Sequence, residues 1–213
     1  MSFTELNSVE HYIINQMSGV NLNVSQESNQ VNEPRSQYGT QWQFQSAEQL
    51  GRSVNEVIVE SQVKAALLRL NPDIQANPAL ADEVIHALRA ILISVNQVGL
   101  VKANEEFFQW LTGEKTMPFG ENNHHVSIRL IDFENLDNNQ YVITNQFRIH
   151  YRETKIPDIV MMINGIPVVV GEAKTPIRPS ISWLDGAHEI HNIYENEPPR
   201  DCRRLNILRE YDN

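Results

Sequence analysis

One cysteine, Cys202, is all that 213 residues carry. No disulfide can form within the chain, and that fits a reducing compartment. Basic residues are also scarce: 17 Lys and Arg stand against 27 Asp and Glu, a net charge of −10. Such a balance argues against a chain that coats nucleic acid through a broad basic face. No run approaches the roughly 20 apolar residues of a membrane span. The N-terminus, "MSFTELNSVEHYIINQM", is acidic early and has no apolar core, so it is not a signal peptide. A soluble cytoplasmic protein with no membrane partner is the expectation.

The chain does have enough apolar residues, 41%, to bury a core and exclude wholesale disorder. Helical spacing of Val9, Tyr12, Ile13 and Met17 predicts a helix over residues 5–17. Residues 19–50 are rich in Asn, Gln and Ser, and read as a long loop with a short strand around 20–24. Residues 56–70 form a strong helical pattern, stopped by Asn71-Pro72. A further helix is predicted over 79–95, with Leu80, Val84, Leu88 and Leu92 on one face, and another over 103–112. After Gly120 the pattern changes. Residues 126–133 and 141–151 read as strands, and so do the apolar runs 158–163 and 166–172. A final helix, weakened by Gly186, spans 181–195. Helices, then strands, then a helix predict a mixed α/β (α+β) layer fold.

The densest chemistry lies in "KIPDIVMMINGIPVVVGEAKTP", residues 155–176. Asn164-Gly165 between two β-branched runs is a hairpin signal. Pro167 cannot donate to a ladder, so it belongs at the strand's start or beside a bulge. Register then decides the chemistry. A two-residue loop puts Asp158 opposite Gly171, and a three-residue loop puts it opposite Glu172. In the second register the two carboxylates' Cβ atoms lie roughly 5 Å apart. Lys174, two residues beyond Glu172, projects on the same face. Paired carboxylates at the end of an apolar hairpin repel one another unless a cation sits between them. Mg²⁺ typically takes one or two carboxylates and keeps waters for a substrate phosphate. A neighbouring lysine positions a water or steadies charge growing on phosphorus. The grouping suits metal-dependent phosphodiester hydrolysis. For any one of these motifs alone, a solvated ion pair or a plain turn is the commoner meaning.

Pro-Asp followed by Glu-x-Lys resembles the PD-(D/E)xK nuclease signature. More narrowly, the chain resembles the N-terminal nuclease domain of the restriction (R) subunit of type I restriction-modification enzymes. The likeness runs in order through "NSVEHYIINQMSGVN", "EVIVESQVKAALLRLNPDI", "ANEEFFQWLTGE", "IRLIDFENLDNNQYVITNQFRI", "PDIVMMINGIPVVVGEAK" and "SWLDGAHEIHNIYENEPP". It implies an endonuclease domain over 1–199, with a helical part to about 115 and a sheet core over about 120–195. Residues 200–213 would be a tail of unknown role. It implies a restriction-endonuclease-like mixed sheet flanked by helices, with an added helical N-terminal part.

By the same resemblance Asp158 and Glu172 would ligate Mg²⁺, with the Ala173 carbonyl as a further ligand. Lys174 would be the catalytic lysine. Glu10 would add an acid from the first helix, with Glu60 in reserve. The family's Gln-x-x-x-Tyr is altered here: Glu189 stands for the glutamine, and Tyr194 lies one residue farther on. On an α-helix a five-residue step ends roughly 140° round, so the two would not share a face. The likeness implies double-stranded DNA as substrate, with modification and specificity subunits as partners. ATP belongs to the full-length R subunit. The nearest look-alike to a phosphate loop, "GEAKT", has Ala173 where glycine is required. The chain is thus expected to be a fragment, a truncated gene product or a separately encoded nuclease domain. An inactive remnant, a subunit-docking module and a hydrolase of smaller phosphoesters are the rival readings.

Overall fold

The computed structural model describes residues 9–22, 42–150, 154–174 and 182–195; of 193–195 only the backbone is described. By internal contacts the chain divides into two units, 1–66 with 132–187, and 67–131 with 188–213.

The first unit is built on a sheet. β4 (Tyr141–Asn145), β7 (Ile159–Ile163) and β8 (Ile166–Gly171) pair antiparallel in turn, and β1 (Gln43–Phe44) joins β4 in parallel. The sheet is therefore mixed, with order β1-β4-β7-β8 among the described residues. β4 sits inside the sheet, and its residues Tyr141 to Thr144 are buried. Successive side chains of a strand point to opposite faces. Ile143 and Ile159 accordingly pack on one face with Ile14 of α1 (His11–Ser18). Val142, Val160 and Met162 pack on the other with Leu50, Val59 and Phe147. α1 is entered through a π-wound turn at 9–10; the start of the predicted helix, residues 5–8, lies outside the described residues. Residues 20–22 form no strand; 23–24 lie outside the described residues.

α2 (Glu60–Leu70) begins four residues later than its apolar pattern. The reason is a tertiary hydrogen bond: Val59 N–H donates to the Gly165 carbonyl at 2.8 Å, which draws 56–59 out of helical geometry. The predicted strand 141–151 is broken at Gln146, whose φ is +51°, and resumes as β5 (Ile149–His150). β5 pairs with β6 (Thr154–Lys155) in a hairpin of its own.

In the second unit α3 (Pro72–Ala76) follows α2 directly, with proline in its first turn, where the missing N–H is harmless. α4 (Leu80–Val98) packs against α5 (Leu100–Leu111). The buried stripe of α4 is Ala81, Val84, Ile85, Leu88 and Ile91; Leu92, expected to share it, is exposed. Of the strand predicted over 126–133 only β3 (Val126–Ser127) pairs, with β2 (Thr116–Met117). Residues 128–131 are mostly buried without joining a ladder; Asn71 accepts from the Arg129 N–H at 2.8 Å and donates to its carbonyl at 2.9 Å. No helix among the described residues is long and apolar enough to cross a membrane.

Candidate metal and catalytic centre

The β7–β8 hairpin turns on two residues. Ile163 pairs with Ile166 across Asn164 and Gly165, whose φ values are +52° and +79°. These are the left-handed conformations an Asn-Gly turn supplies. Register then changes along the hairpin. Met162 faces Pro167, but Met161 faces Val169, so Val168 is bulged out of β8. Beyond the bulge Ile159 faces Gly171. The next position brings Asp158 opposite Glu172. Neither simple loop expected from the sequence is used; a two-residue turn plus one bulged residue reaches the same end register as a three-residue loop. Pro167 sits beside the bulge, where its missing donor removes no ladder bond.

Side-chain contacts agree with this register. The half-buried Asp158 accepts the Ala173 N–H on Oδ2 at 2.8 Å. Glu172 and Lys174 share a side: a Cβ built on Gly186 of α6 (Trp183–Glu189) would lie 3.8 Å from Glu172 Cβ and 3.4 Å from Lys174 Cγ. Gly186, which weakens the helix as a sequence, is the point where α6 comes down on the Glu-Ala-Lys segment. The contact seen at Ala173 is made by its N–H; its carbonyl stays a ligand candidate by inference.

Glu10 completes the acidic end. It lies at the entry of α1 and is 1% exposed. Its Oε1 and Oε2 accept from Gln146 Nε2 at 3.1 and 3.2 Å, and Oε2 also accepts from Asn145 Nδ2 at 3.3 Å. Burial pushes the Glu10 carboxyl above its ordinary range; the Gln146 hydrogen bond opposes that, and the nearby Asp158 charge adds to it. Glu10 and Asp158 are thus electrostatic neighbours, bridged by one amide.

Glu60, Glu189 and Tyr194 are the remaining predicted residues. Glu60 opens α2, and its neighbours Val59, Gln62 and Val63 surround Gly165 at the turn. The five residues of β7 separate that end from Asp158, roughly 16 Å at strand rise. Glu60 is therefore not a reserve ligand for Asp158. Glu189 closes α6 and falls with the second unit. Tyr194 lies in the segment Ile190–Glu195, which winds as a π-helix. The α-helical step assumed between them does not extend through this π-wound segment.

The donor set is all oxygen and acidic, suited to a hard dication such as Mg²⁺. Among the described residues no three His, Cys, Asp or Glu side chains converge as a metal cage. A fit exists only for an ion that takes few protein ligands and keeps its waters, the habit of Mg²⁺.

A family described as "Type I restriction enzyme R protein N terminus" matches residues 25–203. The chain belongs to this family. It is 31% identical over 146 residues to the type I restriction enzyme HindI endonuclease subunit of Haemophilus influenzae. That match covers 66% of this chain and 13% of the relative. It is 29% identical over 106 residues to the putative type I restriction enzyme MjaIXP endonuclease subunit of Methanocaldococcus jannaschii, covering 47% of this chain and 10% of that one. The chain thus aligns with only about an eighth of the length of the first of these. No solved structure matches it.

Glu10 precedes the matched range, so its place in this R-protein N-terminal domain rests on geometry alone. Asn145 and Gln146 are the site residues that sequence reasoning missed. The available signal was a polar Asn-Gln pair interrupting the apolar run 141–151.

Proposed function

We propose that this R-protein N-terminal domain is a Mg²⁺-dependent endonuclease of the PD-(D/E)xK kind that hydrolyses phosphodiester bonds of double-stranded DNA. The register that sets Asp158 opposite Glu172, with Lys174 on Glu172's side, carries the proposal. Family membership supports it, since the relatives are named endonuclease subunits.

Asp158 and Glu172 would hold the ion, with Glu10 behind Asp158 and the Ala173 carbonyl as a further oxygen. When bound, Mg²⁺ supplies a Lewis acid for the phosphoryl oxygens and lowers the pKa of a water. The Ala173 N–H keeps one oxygen of Asp158 oriented, which leaves Oδ1 toward Gln146 and Glu10. Lys174 brings an ammonium to the same side as Glu172. There it steadies the negative charge that builds on phosphorus as an attacking water adds and the ester oxygen leaves.

The net charge of −10 makes DNA binding by this chain alone weak and salt-sensitive. Modification and specificity subunits, and motor segments of the R subunit, would deliver DNA in the cytoplasm. Supercoiled plasmid incubated with excess protein and Mg²⁺ tests the reading, with Asp158→Ala alongside. Nicking by the wild type that the variant lacks supports it. No nicking, or equal nicking by both, favours an inactive remnant or a docking module.

A further inference from the structure

Three observations meet at Gln146. Its backbone is left-handed at φ +51°, a conformation that strains a residue bearing a side chain by about 1 kcal/mol. The strain is held from both sides: Gln146 N–H donates to the Asp158 carbonyl, and Phe147 N–H to the Pro157 carbonyl, each at 3.1 Å. Phe147 is buried, with the Arg52 guanidinium 3.5 Å above its ring. The geometry at Gln146 is thus imposed by its surroundings.

Its side chain uses that geometry. Nε2 lies 3.1 and 3.2 Å from the two Glu10 oxygens and 3.5 Å from Asp158 Oδ1. Both neighbours are acceptors, so the amide nitrogen, not its oxygen, must face them. An uncharged group therefore presents its N–H dipoles to two acids at once. It offsets, from the Glu10 side of Asp158, part of the negative charge that a dication held by Asp158 would neutralise.

Resting on the reading of Asp158 as a metal ligand, we propose that Gln146 is a positioning residue. Its amide is a neutral stand-in for the cation that keeps Glu10 and Asp158 aimed at one point and gives way when a divalent ion binds. The amide stabilises the metal-free state, so it competes with the ion. A residue of merely structural importance would weaken the fold when lost without strengthening metal binding.

Thermal unfolding and calorimetry of the full 213-residue chain, with and without Ca²⁺ as an oxygen-seeking probe, test this. Gln146→Gly deletes the amide and at the same time relieves the left-handed strain. It should lower the metal-free Tm, enlarge the Ca²⁺-induced rise and tighten the Ca²⁺ Kd about tenfold. Gln146→Lys places a permanent ammonium between the acids; it should keep the metal-free Tm and abolish the Ca²⁺-induced rise. A Gln146→Gly chain whose Ca²⁺ response is equal to or smaller than wild type overturns the proposal, as does a wild-type response in Gln146→Lys. A wild-type chain with no Ca²⁺ response overturns the metal reading itself, and this proposal with it. A response that Asp158→Ala removes but Gln146→Gly does not enlarge leaves the metal reading standing and defeats only the role of Gln146.

Discussion

At its closed end the β7–β8 hairpin is knit by buried amide hydrogen bonds; at its open end two acids crowd together and the backbone is strained. Asn164, buried at the turn, donates its N–H to the Gln140 carbonyl, accepts the Gln140 N–H on its side chain, and donates to Asn139, all at 2.8–2.9 Å. Asn139 in turn is tied to the buried Asp132, whose side chain accepts the Glu134 and Asn135 N–H groups. Gly165 meets the start of α2 so closely that a Cβ would lie 2.5 Å from the Val59 carbonyl oxygen. The open end has no such repose. Glu10 is buried beside a second carboxylate, Gln146 is held left-handed, and Gly186 packs close to Glu172 and Lys174. On the proposed reading, one hairpin separates stability from chemistry: local rules are obeyed at one end and broken at the other, as functional sites tend to do.

Substitutions at the two ends should therefore fail in different ways. Largest is the loss expected at the open end. Asp158→Ala or Lys174→Met should lower plasmid nicking about a thousandfold, with the unfolding temperature unchanged or raised. A large fall in Tm in either variant would erase the distinction between the ends. Next comes Gly165→Ala at the turn. The new Cβ clashes with backbone and must adopt φ +79°, so urea denaturation should show a loss of about 3 kcal/mol. Asn164→Ala follows, at about 2 kcal/mol, because it strands the hydrogen bonds of Gln140 and Asn139 in the interior.

The smallest effect sharpens the comparison through its sign. Glu10 is a carboxylate whose folded pKa lies above its ordinary value of 4.5. Between those two values the folded state binds more protons than the unfolded, so this group's contribution to stability falls as pH rises through the window. Glu10→Gln should therefore raise the Tm of the metal-free chain at neutral pH. The gain should fade as pH drops toward 4.5. A Tm lowered at neutral pH would mean that Glu10 is an ordinary structural acid.

Much of the closed end was legible in the sequence. Asn-Gly between two β-branched runs announces the turn, and Pro167 marks the irregular position beside it. The end register was narrowed to two choices, and the bulge at Val168 selects between them by a route the pattern does not encode. That bulge depends on which residue the ladder skips, and periodicity cannot see it. The break at Gln146 was invisible for a related reason: "YVITNQFRIHY" reads as one strand unless the contacts to Asp158 and Pro157 are known. Glu60 illustrates the converse failure. An acid on a helix looks the same in sequence at either end of a hairpin, and only the packing of α2 on Gly165 excludes it. Gly186 reads as a weakness in its helix, yet it sits where α6 packs in van der Waals reach of Glu172 and Lys174.

Crystals of the chain soaked in Mn²⁺ give the most direct test of the metal centre. The account predicts an anomalous peak at the open end of the β7–β8 hairpin, about 2.2 Å from oxygens of both Asp158 and Glu172. A peak absent there, or one bound away from those two carboxylates, would contradict it.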